Sequence, residues 1–179
     1  MPLLRMRDAT FARADVAAGP VTLDLCSGRR AALECVSGQE AAIVALLACG
    51  IVKTSSGCVL IDDYDPHVQS AHCKRVAALV PHEPFPLDDG EFVRYVAYRA
   101  ALWNVEPARA RERAELLRRR LAGVHEAFAY PLIGALIGEP KLLVFDRPQL
   151  VYARKILDVV EGCALLSTHT DTAAKSAFA

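Results

Sequence analysis

The sequence predicts an α/β protein in which a mostly parallel β-sheet is flanked by helices. Short, nearly continuous apolar runs bounded by turn residues recur along the chain, as expected for strands buried on both faces of a sheet. Segments with helical spacing of apolar residues lie between them, and this alternation is typical of the α/β class. The predicted strands span residues 3–7, 21–25, 31–36, 58–61, 76–80, 142–145 and 164–167.

Three segments carry the clearest helical patterns. Residues 39–49 are apolar nearly all round, which predicts a buried helix that stops at Gly50. Asp88 and Glu91 have the spacing of a capping box. The helix that they open carries one apolar face, made of Phe92, Val96 and Ala100. Pro107 suits the first turn of a further helix. The apolar side of that helix is Ala110, Ala114, Leu117 and Leu121.

Composition narrows the classes of function. The chain has 179 residues, 53% of them hydrophobic, which suits one compact domain with a real core. Its formal net charge is zero, so electrostatics give no reason to expect a nucleic-acid partner. No apolar run is long enough to span a bilayer and the N-terminus does not have the pattern of a signal peptide. We therefore expect a cytoplasmic protein without direct membrane insertion, held at the inner face of the cell membrane only through a partner.

The six cysteines form no C-x-x-C pair. We interpret them as small buried hydrophobic residues in a reducing compartment rather than as a zinc or redox site. The arginine-rich segment 109–120 allows two interpretations, an anion-binding or partner-binding surface and a solvated helix face, and the acidic residues within it favour the solvated face.

Four separated segments together resemble one family. LLACGIVKTSSGCVLIDDYDP (46–66) is similar to the stretch that follows the phosphate-binding loop of ATP-binding cassette (ABC) ATPases, and VAALVPHEPF (76–85) is similar to the strand that leads into their Q-loop. ALIGEPKLLVFDRP (135–148) resembles the Walker B region, and LLSTHTD (165–171) resembles the H-loop. The four occur in the family's order and are spread between residues 46 and 171 of the chain.

The resemblance implies the fold of an ABC nucleotide-binding domain, a P-loop NTPase-like core. Residues 1–179 would form a single degenerate domain of this kind. It would add an N-terminal antiparallel β portion to the mostly parallel sheet. The α/β core would comprise residues 1–82 and 140–179, and a reduced helical subdomain would comprise about 83–139.

The resemblance also places the phosphate-binding loop, whose pattern in the family is G-x-x-x-x-G-K-[ST], on residues 35–42. Gly38 is the one glycine that remains. Cys35 replaces the first glycine and Glu40 replaces the glycine before the lysine. Ala41 and Ala42 replace the lysine and the hydroxyl residue that bind phosphate and Mg²⁺. A carboxylate at Glu40 should repel phosphate, although the helix N-terminus at Gln39 still offers N–H groups.

Other site positions of the family are also altered. Asp146 matches the Walker B aspartate, which would hold Mg²⁺ if any is bound, and Arg147 replaces the catalytic glutamate. An ion pair with Arg147 is an equally good role for Asp146. His82 stands at the Q-loop position, and His169 matches the H-loop histidine, either as a functional group or as a relic. The signature sequence is replaced by residues 122–126, in which Gly123 is the one recognisable residue.

These vestigial positions favour a subunit that is impaired in ATP binding and hydrolysis and has a regulatory or structural role. Its partners would be a transmembrane permease subunit, a competent ABC ATPase subunit, or both. The alternative is a divergent but active ATPase that energises transport and binds Mg-ATP as its cofactor. A further possibility is a folded remnant without a current role. One set of aromatic residues could line a docking groove or pack in the core: Phe85, Phe92, Tyr95, Tyr98 and Trp103.

Overall fold

The computed structural model describes residues 1–83, 85–160 and 162–178. The strands are β1 (Pro2–Arg13), β2 (Val16–Cys26), β3 (Arg30–Glu34), β4 (Ser56–Ile61), β5 (Ala77–Val80), β6 (Leu142–Asp146) and β7 (Ala164–His169). The helices are α1 (Gly38–Ala48), α2 (Ser70–Val76), α3 (Asp89–Trp103), α4 (Pro107–Arg120), α5 (Glu126–Leu136), α6 (Ala153–Val159) and α7 (Thr172–Phe178).

The strands form two sheets. Four of them make a parallel sheet in the order β3-β7-β6-β5, and the other three make an antiparallel sheet in the order β2-β1-β4. The predicted fold class, a mostly parallel sheet with helices and an antiparallel portion near the N-terminus, is therefore confirmed. The parallel order is non-sequential, so that β3, which precedes α1, lies beside β7 and places the carboxyl ends of β3, β6 and β7 together.

Strand β6 shows how the parallel sheet separates two apolar cores. Leu142 and Val144 face the core that contains α1 and the antiparallel sheet. Leu143 and Phe145 face the core that contains α3, α4 and α5. Both sets are fully buried, as the continuous apolar run predicts for a strand covered on both faces.

Helix α1 lies between the two sheets. Ser37 caps its first turn by accepting a hydrogen bond from the Glu40 N–H at 3.1 Å. Beyond its end, Gly50 has a φ of +64° and lies so close to Pro66 that a Cβ there would come within 2.2 Å of that ring. A glycine is therefore needed at this turn, as the sequence indicated.

Helices α3 and α4, which lie between β5 and β6, begin as predicted. Asp88 accepts from the Glu91 N–H at 2.7 Å and Glu91 accepts from the Asp88 N–H at 3.0 Å, which completes the capping box of α3. Pro107 occupies the first position of α4, and the Glu106 side chain caps that helix. The predicted apolar faces of α3 and α4 are buried.

Several predicted details are wrong. Val76 ends α2 and does not begin a strand, and α2 itself was not foreseen because it is short and mostly polar. The strands β1 and β2 are longer than predicted because they form one hairpin that pairs as far as Arg13 with Val16. Cys26 and Cys58 are exposed on the antiparallel sheet rather than buried. Among the described residues, no helix has the length and apolar character that a membrane span requires.

Candidate functional site

The loop between β3 and α1 lies where the parallel strands end. The Cys35 N–H donates to the carbonyl of His169 at 2.7 Å, which ties the start of the loop to the end of β7. Cys35 is buried, whereas Val36 is 94% exposed. Burial raises the pKa of the Cys35 thiol to about 11, with smaller contributions from the negative charges of Glu40 and Asp146.

The Glu40 carboxylate folds back onto this loop. Its Oε2 accepts a hydrogen bond from the Val36 N–H at 2.7 Å. Its Oε1 lies 3.4 Å from the Gly19 nitrogen, which donates to it from β2. A carboxylate of the chain therefore accepts from a loop N–H of the kind that binds phosphate in a working loop.

The next two residues offer no group to a nucleotide. Ala41 is fully buried among the apolar residues that α1 presents to the sheets. Ala42 is partly exposed and its methyl side chain has no oxygen for a metal ion. The positions of the expected lysine and hydroxyl residue therefore carry only methyl groups.

Asp146 and Arg147 form a bidentate ion pair at the end of β6. The Arg147 Nε lies 2.8 Å from Asp146 Oδ1, and Nη2 lies 3.1 Å from Oδ2. Asp146 is only 8% exposed, so its carboxylate is largely shielded from water. The hydrogen bond to Asp146 is the main reason that the pKa of Arg147 is raised. Both carboxylate oxygens are thus engaged by one guanidinium.

The same guanidinium lies against the loop between β3 and α1. A Cβ added to Gly38 would come within 2.5 Å of Arg147 Nη1, so the arginine side chain covers the first residue of α1. The backbone of Arg147 has a φ of +45° and its N–H donates to the Thr168 carbonyl at 3.1 Å. The positive charge beside the loop therefore comes from the end of β6 and not from α1.

The two predicted histidines lie next to this pair. A cleft of about 280 Å³ is lined by both of them and by Arg147, Pro148, Gln149, Leu150, Thr170, Asp171 and Ala174. His82 Nδ1 donates to the Arg147 carbonyl at 2.9 Å. His169 is 1% exposed, and its Nε2 lies 2.8 Å from Ser167 Oγ. Burial lowers the pKa of His169.

The turn at the expected signature position is held by residues of the same chain. Lys155 of α6 donates to the Ala122 carbonyl and lies over Gly123, which has a φ of +87°. His125 caps α5 by accepting from the Ala127 N–H at 3.3 Å. The Glu126 side chain pairs with Arg118 at 3.1 Å. The Ala122 carbonyl and the side chains of His125 and Glu126 therefore have partners within the chain.

A magnesium ion bound as in the family needs a free carboxylate at Asp146 and a hydroxyl at Ala42. The first is occupied by Arg147 and the second is missing. Within residues 1–83, 85–160 and 162–178, no three His, Cys, Asp or Glu side chains gather in an arrangement that could hold a metal. The residues at these two positions therefore do not fit the family's magnesium site.

The fold is that of ABC nucleotide-binding domains. The structure matches the ATP-binding subunit of an ABC transporter with a TM-score of 0.80 at 16% identity, over 98% of this chain and 82% of the other. It matches cbiO1 from Clostridium perfringens, part of the ABC transporter complex cbiONQ, with a TM-score of 0.72 at 16% identity, over 95% and 79%.

A third match is the dimeric bacterial ABC transporter cassette MJ0796, with a TM-score of 0.70 at 14% identity, over 98% of this chain and 91% of the other. No family model matches the sequence, and no curated protein does. The likeness therefore lies in the three-dimensional structure, and it confirms the fold that the four segments indicated.

The role of Glu40 inside the loop was missed by the sequence analysis, which treated it only as a charge that repels phosphate. The signal was present. Ser37 and Glu40 have the S-x-x-E spacing of a capping box, in which the glutamate reaches back toward the start of the helix. Here Glu40 reaches one residue further, to the Val36 N–H.

Proposed function

We propose that this chain is an ATP-binding cassette subunit that does not bind ATP tightly and acts as a regulatory or structural partner in a transporter complex. The observation that carries this proposal is the pair of internal contacts at the phosphate loop. Glu40 accepts from Val36, and Arg147 engages both oxygens of Asp146. Phosphoryl transfer depends on positioning the phosphate and on neutralising its charge. In this chain the Asp146 carboxylate is bonded to Arg147, and the lysine and hydroxyl side chains are replaced by Ala41 and Ala42.

The charges explain why ATP is disfavoured. A phosphate placed about 4 Å from the Glu40 carboxylate would be repelled by about 4 kcal/mol per unit charge at an effective dielectric constant near 20. A metal ion at Asp146 would first have to displace a bidentate guanidinium from a shielded carboxylate. Ala41 supplies no compensating cation. The repulsion by Glu40, the engaged carboxylate of Asp146 and the missing cation at Ala41 all oppose nucleotide binding.

A second surface supports partner docking. A cleft of about 400 Å³ lies between the end of α1, strand β5 and helix α3. Ile51 and Leu102 line it and are 56% and 57% exposed. Lys74 and Arg99 add positive charge to the same cleft. Apolar side chains beside basic groups suit an amphipathic helix that carries acidic residues.

The predicted aromatic set is dispersed between the core and the surface. Phe92 is 2% exposed and stacks on Tyr130 with ring centroids 4.1 Å apart. Tyr95 packs edge-on against Phe85 at 5.3 Å. Trp103 is the one member of the set that lines the cleft, and Tyr98 is exposed. The docking surface that we propose is therefore the cleft between α1 and α3.

The structural neighbours suggest the kind of partner. The matching protein cbiO1 is part of an ABC transporter complex. A further structural match is a bacterial Atm1-family ABC exporter, whose structure was determined with ATP bound. We infer that the partner of this chain is a transmembrane subunit of an ABC transporter, which presents a helix to the cleft.

Site-specific photocrosslinking in cells of the native host tests this proposal. A photoreactive residue at Leu102 should crosslink to a transmembrane transporter subunit, identified by mass spectrometry. The same probe at Leu116, which is 50% exposed on α4 and does not line the cleft, is the matched control. Equal crosslinking from both positions, or no membrane protein from Leu102, would count against the proposal.

A further inference from the structure

The outer edge of β3 is a free edge of the parallel sheet. In the described part of the chain, β3 pairs with β7 alone. Its central residues, Ala31, Ala32 and Leu33, are only partly buried, whereas every residue of β6 and β7 is buried. We propose that this edge binds the β3 edge of a second copy of the chain in antiparallel register, which forms a two-fold symmetric dimer.

The backbone of β3 presents a regular set of hydrogen-bonding groups to this edge. The Leu165 N–H donates to the Arg29 carbonyl at 2.9 Å, and the Cys35 N–H donates to the His169 carbonyl at 2.7 Å. The odd-numbered residues of the strand therefore turn their N–H and C=O groups toward β7, because these groups alternate between the two sides of an extended strand. The even-numbered residues turn the same groups outward, where another strand can pair with them. They are Arg30, Ala32 and Glu34.

The sequence of β3 is complementary to itself when the two strands run in opposite directions. The strand begins with Arg30, ends with Glu34 and has Ala32 at its centre. An antiparallel pair centred on Ala32 places Arg30 of each copy opposite Glu34 of the other, and the outward backbone groups of these residues meet. Opposite charges directly across an antiparallel pair stabilise it. A patch that meets its own copy in this way forms the isologous interface of a two-fold dimer.

The side chains of β3 agree with this register. Thr172 donates to Glu34 at 3.1 Å, and Lys175 lies 3.5 Å from it, so the even-numbered side chains lie on the face that α7 covers. Ala31 and Leu33 lie on the other face, against the core that contains α1. In the dimer, Ala31 of each copy lies opposite Leu33 of the other. Pairing therefore removes partly exposed apolar side chains from water and leaves the charged pairs at the ends of the strands.

Other edges of the two sheets are protected in ways that β3 is not. Strand β2 lies at an edge of the antiparallel sheet and contains Pro20, a residue that disfavours the addition of a further strand. Strand β3 contains no proline, and its register with β7 has no bulge. Strand β5, at the opposite edge of the parallel sheet, borders the cleft between α1 and α3. A dimer through β3 therefore leaves that cleft free on both copies.

Hydrogen exchange of the natural chain, followed by nuclear magnetic resonance without nucleotide, tests the interface. Raising the concentration from about 50 μM to about 1 mM should slow exchange of the Ala32 and Glu34 amides at least about threefold, by mass action. The Ala31 and Leu33 amides face β7 in the monomer and in the dimer, so their rates are the internal control. Exchange of Ala32 and Glu34 that does not depend on concentration would overturn the proposal.

Charge exchange tests the register. Arg30→Glu alone or Glu34→Arg alone places like charges across the interface, and each should weaken self-association at least about tenfold in sedimentation velocity. An equimolar mixture of the two variants again has opposite charges at both ends, so a heterodimer should form with close to the natural affinity. Arg119→Glu and Glu112→Arg, at exposed positions of α4, are the matched controls and should leave self-association unchanged.

A natural chain that stays monomeric up to about 1 mM would refute the dimer. A dimer that ignores both charge variants, or a mixture that does not recover association, would refute the register. If either variant does not fold, the exchange rates of the natural chain still decide. The proposed function is tested separately, because a monomeric chain that crosslinks from Leu102 to a transmembrane subunit would refute the dimer alone.

Discussion

The pKa of the Cys35 thiol responds to the carboxylates near the loop between β3 and α1. It is buried at the end of β3, and its pKa is raised to about 11 first by burial and then by Glu40 and Asp146. Thiolates, not thiols, react with alkylating reagents. The reactivity of this residue therefore reports both the enclosure of the loop and the two carboxylates near it.

We predict that iodoacetamide at about pH 8 labels Cys26 and Cys58 at least about tenfold faster than Cys35, because the first two are exposed. Mass spectrometry of tryptic peptides over time measures the rates. Glu40→Gln should speed the labelling of Cys35 relative to Cys26. Labelling of Cys35 as fast as Cys26 in the natural chain would show that the loop is open.

The buried histidine of β7 gives a prediction for acid conditions. Burial lowers the pKa of His169 below its ordinary value of 6.5, so the unfolded chain takes up a proton before the folded chain does. The contribution to stability is complete above about pH 6.5 and is lost as the pH falls toward the lower folded pKa. Urea unfolding should show this decrease in the natural chain and a smaller one in His169→Gln. Identical pH profiles would contradict the assignment.

At the scale of elements, the packing of α3 on α5 depends on a close approach. Gly134 of α5 lies under the Tyr95 ring, and a Cβ there would come within 2.3 Å of the tyrosine oxygen. Arg99 of α3 also donates to the Gly134 carbonyl at 3.0 Å. The small residue and the hydrogen bond therefore add to the stacking of Phe92 on Tyr130 in fixing the two helices. The position of α3 sets one wall of the cleft that we propose for docking.

We predict that Gly134→Ala lowers the free energy of unfolding by about 1–3 kcal/mol, because overpacking displaces Tyr95. The measurement is chemical denaturation. In a Tyr95→Ala background the same substitution should cost much less, since the clashing ring is gone. If Gly134→Ala lowers the free energy of unfolding equally in both backgrounds, the strain does not come from the Tyr95 ring.

At the scale of the whole molecule, much of the fold was predictable because local pattern and burial agree. The strands of the parallel sheet are apolar runs in the sequence. The residues that cap α3 and α4 indicate where those helices begin. The extension of the first hairpin was not predictable, since it depends on cross-strand pairs such as Phe11 with Ala18 and Arg13 with Val16. Helix α2 is too short and polar to carry a periodic signal.

The candidate site was predictable only in part, for a related reason. The family resemblance placed the predicted phosphate-binding loop on residues 35–42, which span the turn between β3 and α1 and the start of that helix. The Ser37–Glu40 spacing was available as a capping signal. The contact of Arg147 with Gly38 was not, because two elements far apart in sequence meet only when β3 and β6 both pair with β7. This long-range contact brings Arg147 against the loop that also carries Glu40.

Calorimetric titration of the natural chain with Mg-ATP tests the central claim most directly. Because Glu40 and Arg147 occupy the groups that would meet the phosphates and the metal, we predict no saturable heat of binding up to about 1 mM nucleotide. Saturable binding with a dissociation constant in the micromolar range, about 1–100 μM, would contradict the account.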